Sequence, residues 1–282
     1  AVVYAGSLRN GFHLDDFHTV VNNPHIRVLS DIPSFFGDAG AFSVNPESAM
    51  YRPLLLTTFS IDHALFGNVA AGYHATSVFF HGLAAAAALA WLVGLGLRQR
   101  VALTAALVFA LHPINSEAVC YISSRSEVLM GLLLMCAAAL HAKYRATTSH
   151  SWWLASLAAA AASLLSKSVG IIAPLAVAVG DGFTGGWRRV RSGWRAYLAL
   201  AALGLCYIML VRGPATQALI TAPVRSIAAQ LFTQAKAHVY YLQLLALPVR
   251  LNVEHQFDVS PMVDASVVVA AMLLGSVVAV AW

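Results

Sequence analysis

The stretch "NGFHLDDFHTVVNNP" (10–24) sets Asp15 and Asp16 side by side in a 282-residue chain that is 10% charged and 59% hydrophobic. Paired carboxylates suit general-base chemistry: one takes a proton while its neighbour orients it or raises its pKa by like-charge repulsion. Asp is also a common helix cap, so a purely structural reading stands beside the catalytic one. In "YRPL" (51–54), Arg52 offers forked donors to a phosphate, or snorkels to lipid headgroups. The stretch "LHPINSEAVCYISSRSEVL" (111–129) puts His112, Glu117, Arg125 and Glu127 between two apolar segments. Ionisable groups at a membrane boundary are costly and point to function. A continuous helix from Ser116 to Val128 would set Glu117 and Arg125 on a shared side, whereas a salt-bridged loop would use its Ser and Glu as caps. Lys167 in "LLSKSVG" (164–170) stands at a helix end, where a Lys either snorkels or binds. In "FTQAKAHVYYLQ" (232–243), Lys236, His238 and Tyr240 recur at roughly one-turn spacing and could line a polar cavity or a headgroup groove. His74 and His81 lie two helical turns apart on one face. A metal would want i, i+4 spacing and a third ligand, so packing or hydrogen bonding is expected, His74 could line a cavity, and no metal site is assigned.

These groups need elements to hold them. The mean hydropathy of +0.72 is far above that of a soluble domain. Apolar runs fall at 72–97, 101–114, 128–142, 152–165, 169–181, 196–211, 229–249 and 263–282. A helix needs about 20 apolar residues to cross a hydrocarbon core of roughly 30 Å, so the expectation is an all-α, multi-pass helical membrane protein, 1–282 forming a single membrane domain. Residues 1–10 read as the last turns of a first spanning helix, 11–71 as a long outer loop carrying short amphipathic surface helices, and 72–282 as further spans. Both ends read as cut from a longer chain. Ala-rich stretches at 84–90 and 158–162 suit close helix packing in lipid. The three cysteines are isolated, which implies neither a disulfide framework nor a zinc site. A net charge of +5 without an aromatic-interleaved basic patch excludes nucleic acid as a partner and leaves membrane lipid. No Gly-rich phosphate loop, HExxH or GxSxG motif, and no solenoid repeat, occurs.

The basic clusters "RQR" (98–100), "AKYR" (142–145) and "WRRVRSGWR" (187–195) lie in alternate connections and so share a side, expected to be cytoplasmic. Eight of the twelve acids, Asp15, Asp16, Asp31, Asp38, Glu47, Asp62, Glu117 and Glu127, then fall on the opposite side, with segments 11–71, 112–127, 166–168 and 212–228.

Taken in order, "DD", "YRPL", "GYH", "FALHPINSEAVCYISSRSEVL", an "SK..G" hairpin and "TQ…YYLQLLALPVRLNVEHQF" resemble the membrane domain of the transmembrane and tetratricopeptide-repeat O-mannosyltransferases and their bacterial relatives. The resemblance covers nearly the whole chain. It implies a C-type (GT-C) glycosyltransferase that inverts the anomeric centre while moving a mannose-like hexose from a polyprenyl- or dolichyl-phosphate donor to a hydroxyl acceptor, a protein Ser or Thr. The donor is a co-substrate and no cofactor is implied. The resemblance assigns Asp16 as the base, with Asp15 as partner or alternative. It places Arg52, His112, Arg125 and Lys167 on the donor-phosphate side, with Glu117 and Glu127 holding those cations or sugar hydroxyls, and it places the site on the periplasmic or lumenal face. Phosphate is the leaving group, so cations that stabilise its charge matter more than a general acid. Three departures stand out: Ser168 replaces the usual acid after the Lys, Ser77 stands where many members have Asn, and the tetratricopeptide repeats are absent from this sequence.

Two other classes compete. A lipid-linked sugar transporter or flippase would show inverted repeats and midplane charges, whereas here the charges gather at one face. A non-catalytic membrane scaffold would tolerate substitution of its polar motifs.

Overall fold

The computed structural model describes residues 2–212, 226–249, 251–252 and 258–281. It divides into two compact units, Ala1–Thr216 and Gln217–Trp282. Among the described residues there is no strand. In the first unit the helices are α1 Pro53–Phe66, α2 Ala70–Gly94, α3 Gln99–Leu111, α4 Ser116–Cys120, α5 Arg125–Thr147, α6 His150–Ser166, α7 Ala173–Ser192 and α8 Trp194–Leu210. Each expected apolar run here seeds one of the long helices. Three segments, Ala70–Gly94, Ile122–Thr147 and Ser168–Ser192, are long and apolar enough to cross a membrane. A fourth span forms if α3 and Pro113–Cys120, bent by 47° at their junction, are taken together. Pro113 causes that break, since the residue before a proline avoids helical geometry and His112 is extended at φ −65°, ψ 128°. Helices α6 and α8, at 17 residues each, are about 25 Å long and shorter than the core. Residues Val2–Arg9 form a 3-10 helix rather than α-helical turns.

The outer loop is a folded layer. Short 3-10 helices at His25–Arg27, Leu29–Phe36 and Ala39–Phe42 precede α1. Their apolar residues Ile26, Phe35 and Phe42, with Val20 just before them, join Leu55, Leu56 and Phe59 of α1, Tyr73 of α2 and Leu129 of α5 in one buried cluster. The buried Asn23 carboxamide ties the loop together by donating to the carbonyls of Thr19, Ala41 and Phe42 at 3.0–3.2 Å. A second buried cluster joins α5, α6, α7 and α8 through Ala137, Ala138, Ala160, Val177 and Leu200, in keeping with small residues at lipid-embedded contacts. The "SK..G" hairpin between α6 and α7 also has a steric reason. A Cβ on Gly170 would sit 2.7 Å from the Ser163 hydroxyl and 2.8 Å from its carbonyl carbon, so only glycine lets this turn lie against α6.

The second unit holds α9 Ile227–Ala246 and α10 Ala265–Ala281. The Ser260 N–H donates to the Thr233 hydroxyl at 3.1 Å, and Asp264 accepts from the Val267 N–H at 2.9 Å at the start of α10. Residues 213–225 of the expected 212–228 outer segment, and the "EHQF" of the last motif, lie outside the described residues.

Candidate functional site

The acidic pair sits in a bent piece of backbone. Leu14 takes a φ of +44°, a left-handed conformation that is costly for leucine and is often kept at functional sites. A π-helical turn, Phe17–Val21, follows at once. The bend sends the two carboxylates opposite ways. Asp16 is 1% exposed. Its Oδ1 accepts from the Ser123 N–H at 2.8 Å and the Ser123 hydroxyl at 2.6 Å, and its Oδ2 from the His13 N–H at 3.0 Å. Burial pushes its carboxyl above the ordinary value, against the pull of these donors. The Asp15 side chain is 63% exposed. The expected pair is thus divided: Asp16 fastens the loop to 111–129, and Asp15, the expected partner or alternative, carries the exposed carboxylate.

Asp15 has a partner that the sequence reading missed. His18 lies one turn on, with Nε2 3.3 Å from Asp15 Oδ1 and Nδ1 2.9 Å from the buried Ser43 hydroxyl. The chain of carboxylate, imidazole and hydroxyl could have been noticed from the i, i+3 spacing of Asp15 and His18, but Ser43 is brought in only by the folding of the loop. The Asp15 N–H also donates to the Tyr121 hydroxyl at 3.0 Å, a second tie to 111–129.

The cations stand nearby. Arg52, half-buried at the start of α1, donates to the Ser126 hydroxyl at 3.1 Å and lies 5.4 Å from the Phe42 ring centroid. Burial lowers its pKa, and the charges of Glu127, Tyr207 and Asp15 oppose that shift. Lys167 forms an ion pair with Glu127 from α5. Ser168 leaves Lys167 without an adjacent acid in sequence, and Glu127 supplies the carboxylate from across the hairpin. Asp15, Arg52, Glu127 and Lys167 are therefore brought together at one end of the first unit.

Arg125 is not among them. It is expected on the donor-phosphate side, but it is 0% exposed and its Nε, Nη1 and Nη2 each donate to a protein acceptor. Its Nε donates to the Ser77 hydroxyl at 3.0 Å, Nη1 to Thr58 at 3.1 Å, and Nη2 to the Tyr73 carbonyl at 2.7 Å and to Asp62 at 2.7 Å. The guanidinium also stacks 4.8 Å from the Phe59 ring. Arg125 thus binds α1, α2 and α5 together, and Ser77 is the acceptor that meets its Nε. Nor is Ser116–Val128 one helix. Tyr121 is extended at φ −111°, ψ 119°, so α4 ends at Cys120 and the geometry proposed for Glu117 and Arg125 does not form.

The remaining candidates are dispersed. The His112 Nδ1 accepts from the Ile114 N–H at 3.2 Å and caps the turn Pro113–Asn115. Glu117 is exposed on α4. His74 is fully buried on α2 rather than lining an open cavity, and His81 bonds the Ala110 carbonyl at 3.0 Å. Lys236, His238 and Tyr240 belong to the second unit. There Lys236 donates to the Asp258 carbonyl at 3.3 Å, His238 bonds Gln234 of its own helix at 2.7 Å, and the Tyr240 ring lies 6.2 Å from that of Tyr241.

The chain is 28% identical over 187 residues to the protein O-mannosyl-transferase F38B6.6 of Caenorhabditis elegans, covering 63% of this chain and 26% of the relative. It is 29% identical over 308 residues to the protein O-mannosyl-transferase Tmtc2 of Drosophila melanogaster, covering all of this chain and 32% of the relative. The chain is related to the TMTC protein O-mannosyl-transferases. Mouse TMTC1 is 33% identical over 141 residues, covering 48% of this chain and 15% of the relative. The chain thus spans a third or less of the length of these curated TMTC relatives. No family model matches it, and no solved structure matches it.

Proposed function

We propose that the acidic end of the first unit is the active-site half of an inverting glycosyltransferase. It moves a mannose-like hexose from a polyprenyl- or dolichyl-phosphate donor to a protein Ser or Thr hydroxyl on the non-cytoplasmic face. The observation that carries the proposal is the exposed Asp15 carboxylate, backed by His18 at 3.3 Å and placed within electrostatic reach of Arg52. Asp15 takes the proton of the acceptor hydroxyl, and His18 holds the carboxylate in position through its bond to Ser43. The acceptor oxygen bonds to the anomeric carbon from the face opposite the phosphate. The bond from that carbon to the phosphate oxygen breaks, and the polyprenyl phosphate leaves with both electrons.

Arg52 and the Lys167–Glu127 pair receive the charge that builds on the phosphate. In a site shielded from water this stabilisation is worth more than in bulk solvent. Arg52 offers forked donors that a Lys reproduces poorly. Purified protein should therefore show a raised donor KM and a lowered kcat in Arg52→Lys, measured by donor titration with a Ser/Thr peptide as acceptor. Unchanged donor dependence in that variant would move the phosphate site elsewhere.

A further inference from the structure

The end of the first unit opposite Asp15 has the reverse charge and a defined architecture. Helices α2, α5 and α7 converge there: Trp91, Gly94, Leu95, His141, Asp181 and Arg189 line a narrow cleft. Of the nine acids in residues 1–216, Asp181 alone lies at this end. It is 3% exposed, so it contributes almost no negative charge to the surface. Eight cations stand in the connections and helix ends of this side: Arg98, Arg100, Lys143, Arg145, Arg188, Arg189, Arg191 and Arg195, of which Arg145 and Arg189 contact Asp181.

Asp181 acts as a fixing post. It accepts from the Tyr197 hydroxyl at 2.6 Å and His141 Nε2 at 3.1 Å, and it holds the Nε groups of Arg145 at 3.4 Å and Arg189 at 3.2 Å. Arg145 Nη2 then donates to the Arg189 carbonyl at 2.9 Å and the Ser192 hydroxyl at 2.7 Å. Holding Arg189 by Nε leaves its two Nη groups without a protein acceptor among the described residues. Arg98, Arg100, Arg188 and Arg191 have no carboxylate partner either, again among the described residues.

The backbone presents this charge together with aromatic rings. Gly185 and Gly186 break α7, Gly186 at φ +58°, a conformation that favours glycine. The break turns Trp187–Ser192 off the axis of the span. Trp187 and Trp194 are 61% and 56% exposed, the Arg195 guanidinium lies 5.5 Å from the Trp194 ring, and Lys143 stacks 3.6 Å from the Trp152 ring. Exposed tryptophans beside unpaired arginines match the depth where rings meet acyl chains and guanidiniums meet phosphates.

We propose that this basic end is a binding surface for anionic phospholipid headgroups of the cytoplasmic leaflet, with phosphate oxygens taken by the arginines of 187–195. The arrangement goes beyond the transferase reading and does not depend on it. Its selectivity comes from the surplus of guanidiniums, because a zwitterionic headgroup brings its own ammonium and gains little from them.

The test is native mass spectrometry of the purified full-length protein, released from micelles containing phosphatidylcholine with one-tenth phosphatidic acid. The wild type should retain phosphatidic acid in preference to phosphatidylcholine. The triple variant Arg188→Gln, Arg191→Gln, Arg195→Gln should lose that preference by about a hundredfold. None of the three side chains contacts a carboxylate, so the variant should fold, which its melting profile checks. Arg9→Gln, an exposed cation at the other end, should keep the wild-type preference. Equal retention of the two lipids by the wild type, or full preference in the triple variant, would overturn the proposal. So would complete displacement of the lipid by millimolar inorganic phosphate, which would make the surface a soluble-anion site.

Discussion

Replacing Asp15 and Asp16 by Asn, one at a time, separates the two halves of the acidic motif. Asp15 is 63% exposed and its one side-chain partner is His18 at 3.3 Å. An exposed pair of this kind contributes about 0–1 kcal/mol, so Asp15→Asn should fold and melt like the wild type. Its amide cannot accept the acceptor's proton, and loss of a general base lowers turnover about 10²–10⁴-fold. Asp16 is the opposite case. An Asn there can keep the Ser123 bonds through its carbonyl, but its NH2 group then faces the His13 N–H that Oδ2 accepted at 3.0 Å. Two donors face one another in a buried place, which costs about 1–3 kcal/mol. Asp16→Asn should therefore lose stability first and activity only in proportion to the folded fraction. Sugar transfer and thermal melting on the same preparations provide the readout. Full turnover in Asp15→Asn, or wild-type melting with abolished turnover in Asp16→Asn, would refute the reversed assignment and return the base to Asp16.

Arg125→Met should destabilise the protein by about 3–5 kcal/mol whatever the donor concentration, because it removes the partner of the buried Asp62 carboxylate. The double variant Arg125→Met, Asp62→Leu should recover much of that loss in the same melting assay. Burial raises the Asp16 pKa, so its protonated form is favoured in the folded state. That contribution is fully present below the unfolded value near 3.8 and is lost as pH rises through the folded pKa; Asp16→Asn should abolish this part of the pH–stability curve. His18→Gln should lower kcat while leaving donor KM unchanged, since its contacts are Asp15 and Ser43 and not the cations.

The helices were legible because length and composition suffice for them: the run 72–97 becomes Ala70–Gly94 and 229–249 becomes Ile227–Ala246. The clustering of acids and arginines was equally open to reading. Three features were not. The adjacency of Asp15 and Asp16 says nothing about which of them faces Ser123, a residue more than a hundred positions away. Arg125 looked like a free cation because its partners Asp62, Tyr73 and Ser77 come from two other helices. The apolar run 169–181 seemed to end at Asp181, whereas the helix continues through the Gly185–Gly186 break to Ser192 and buries that carboxylate among His141, Arg145 and Tyr197. In each case a long-range contact decides the role, and local pattern carries no information about it.

Transfer of a sugar from a lipid phosphate with Asp15 as base leaves its mark in product stereochemistry. Purified protein in a lipid bilayer is given a polyprenyl-phosphate mannose donor and a Ser/Thr peptide, and the anomeric configuration of the glycopeptide is determined by NMR. The wild type should form a mannosylated hydroxyl whose configuration is opposite to that of the donor, and Asp15→Asn should lose it. A product that retains the donor configuration, or transfer that continues undiminished in Asp15→Asn, would contradict it.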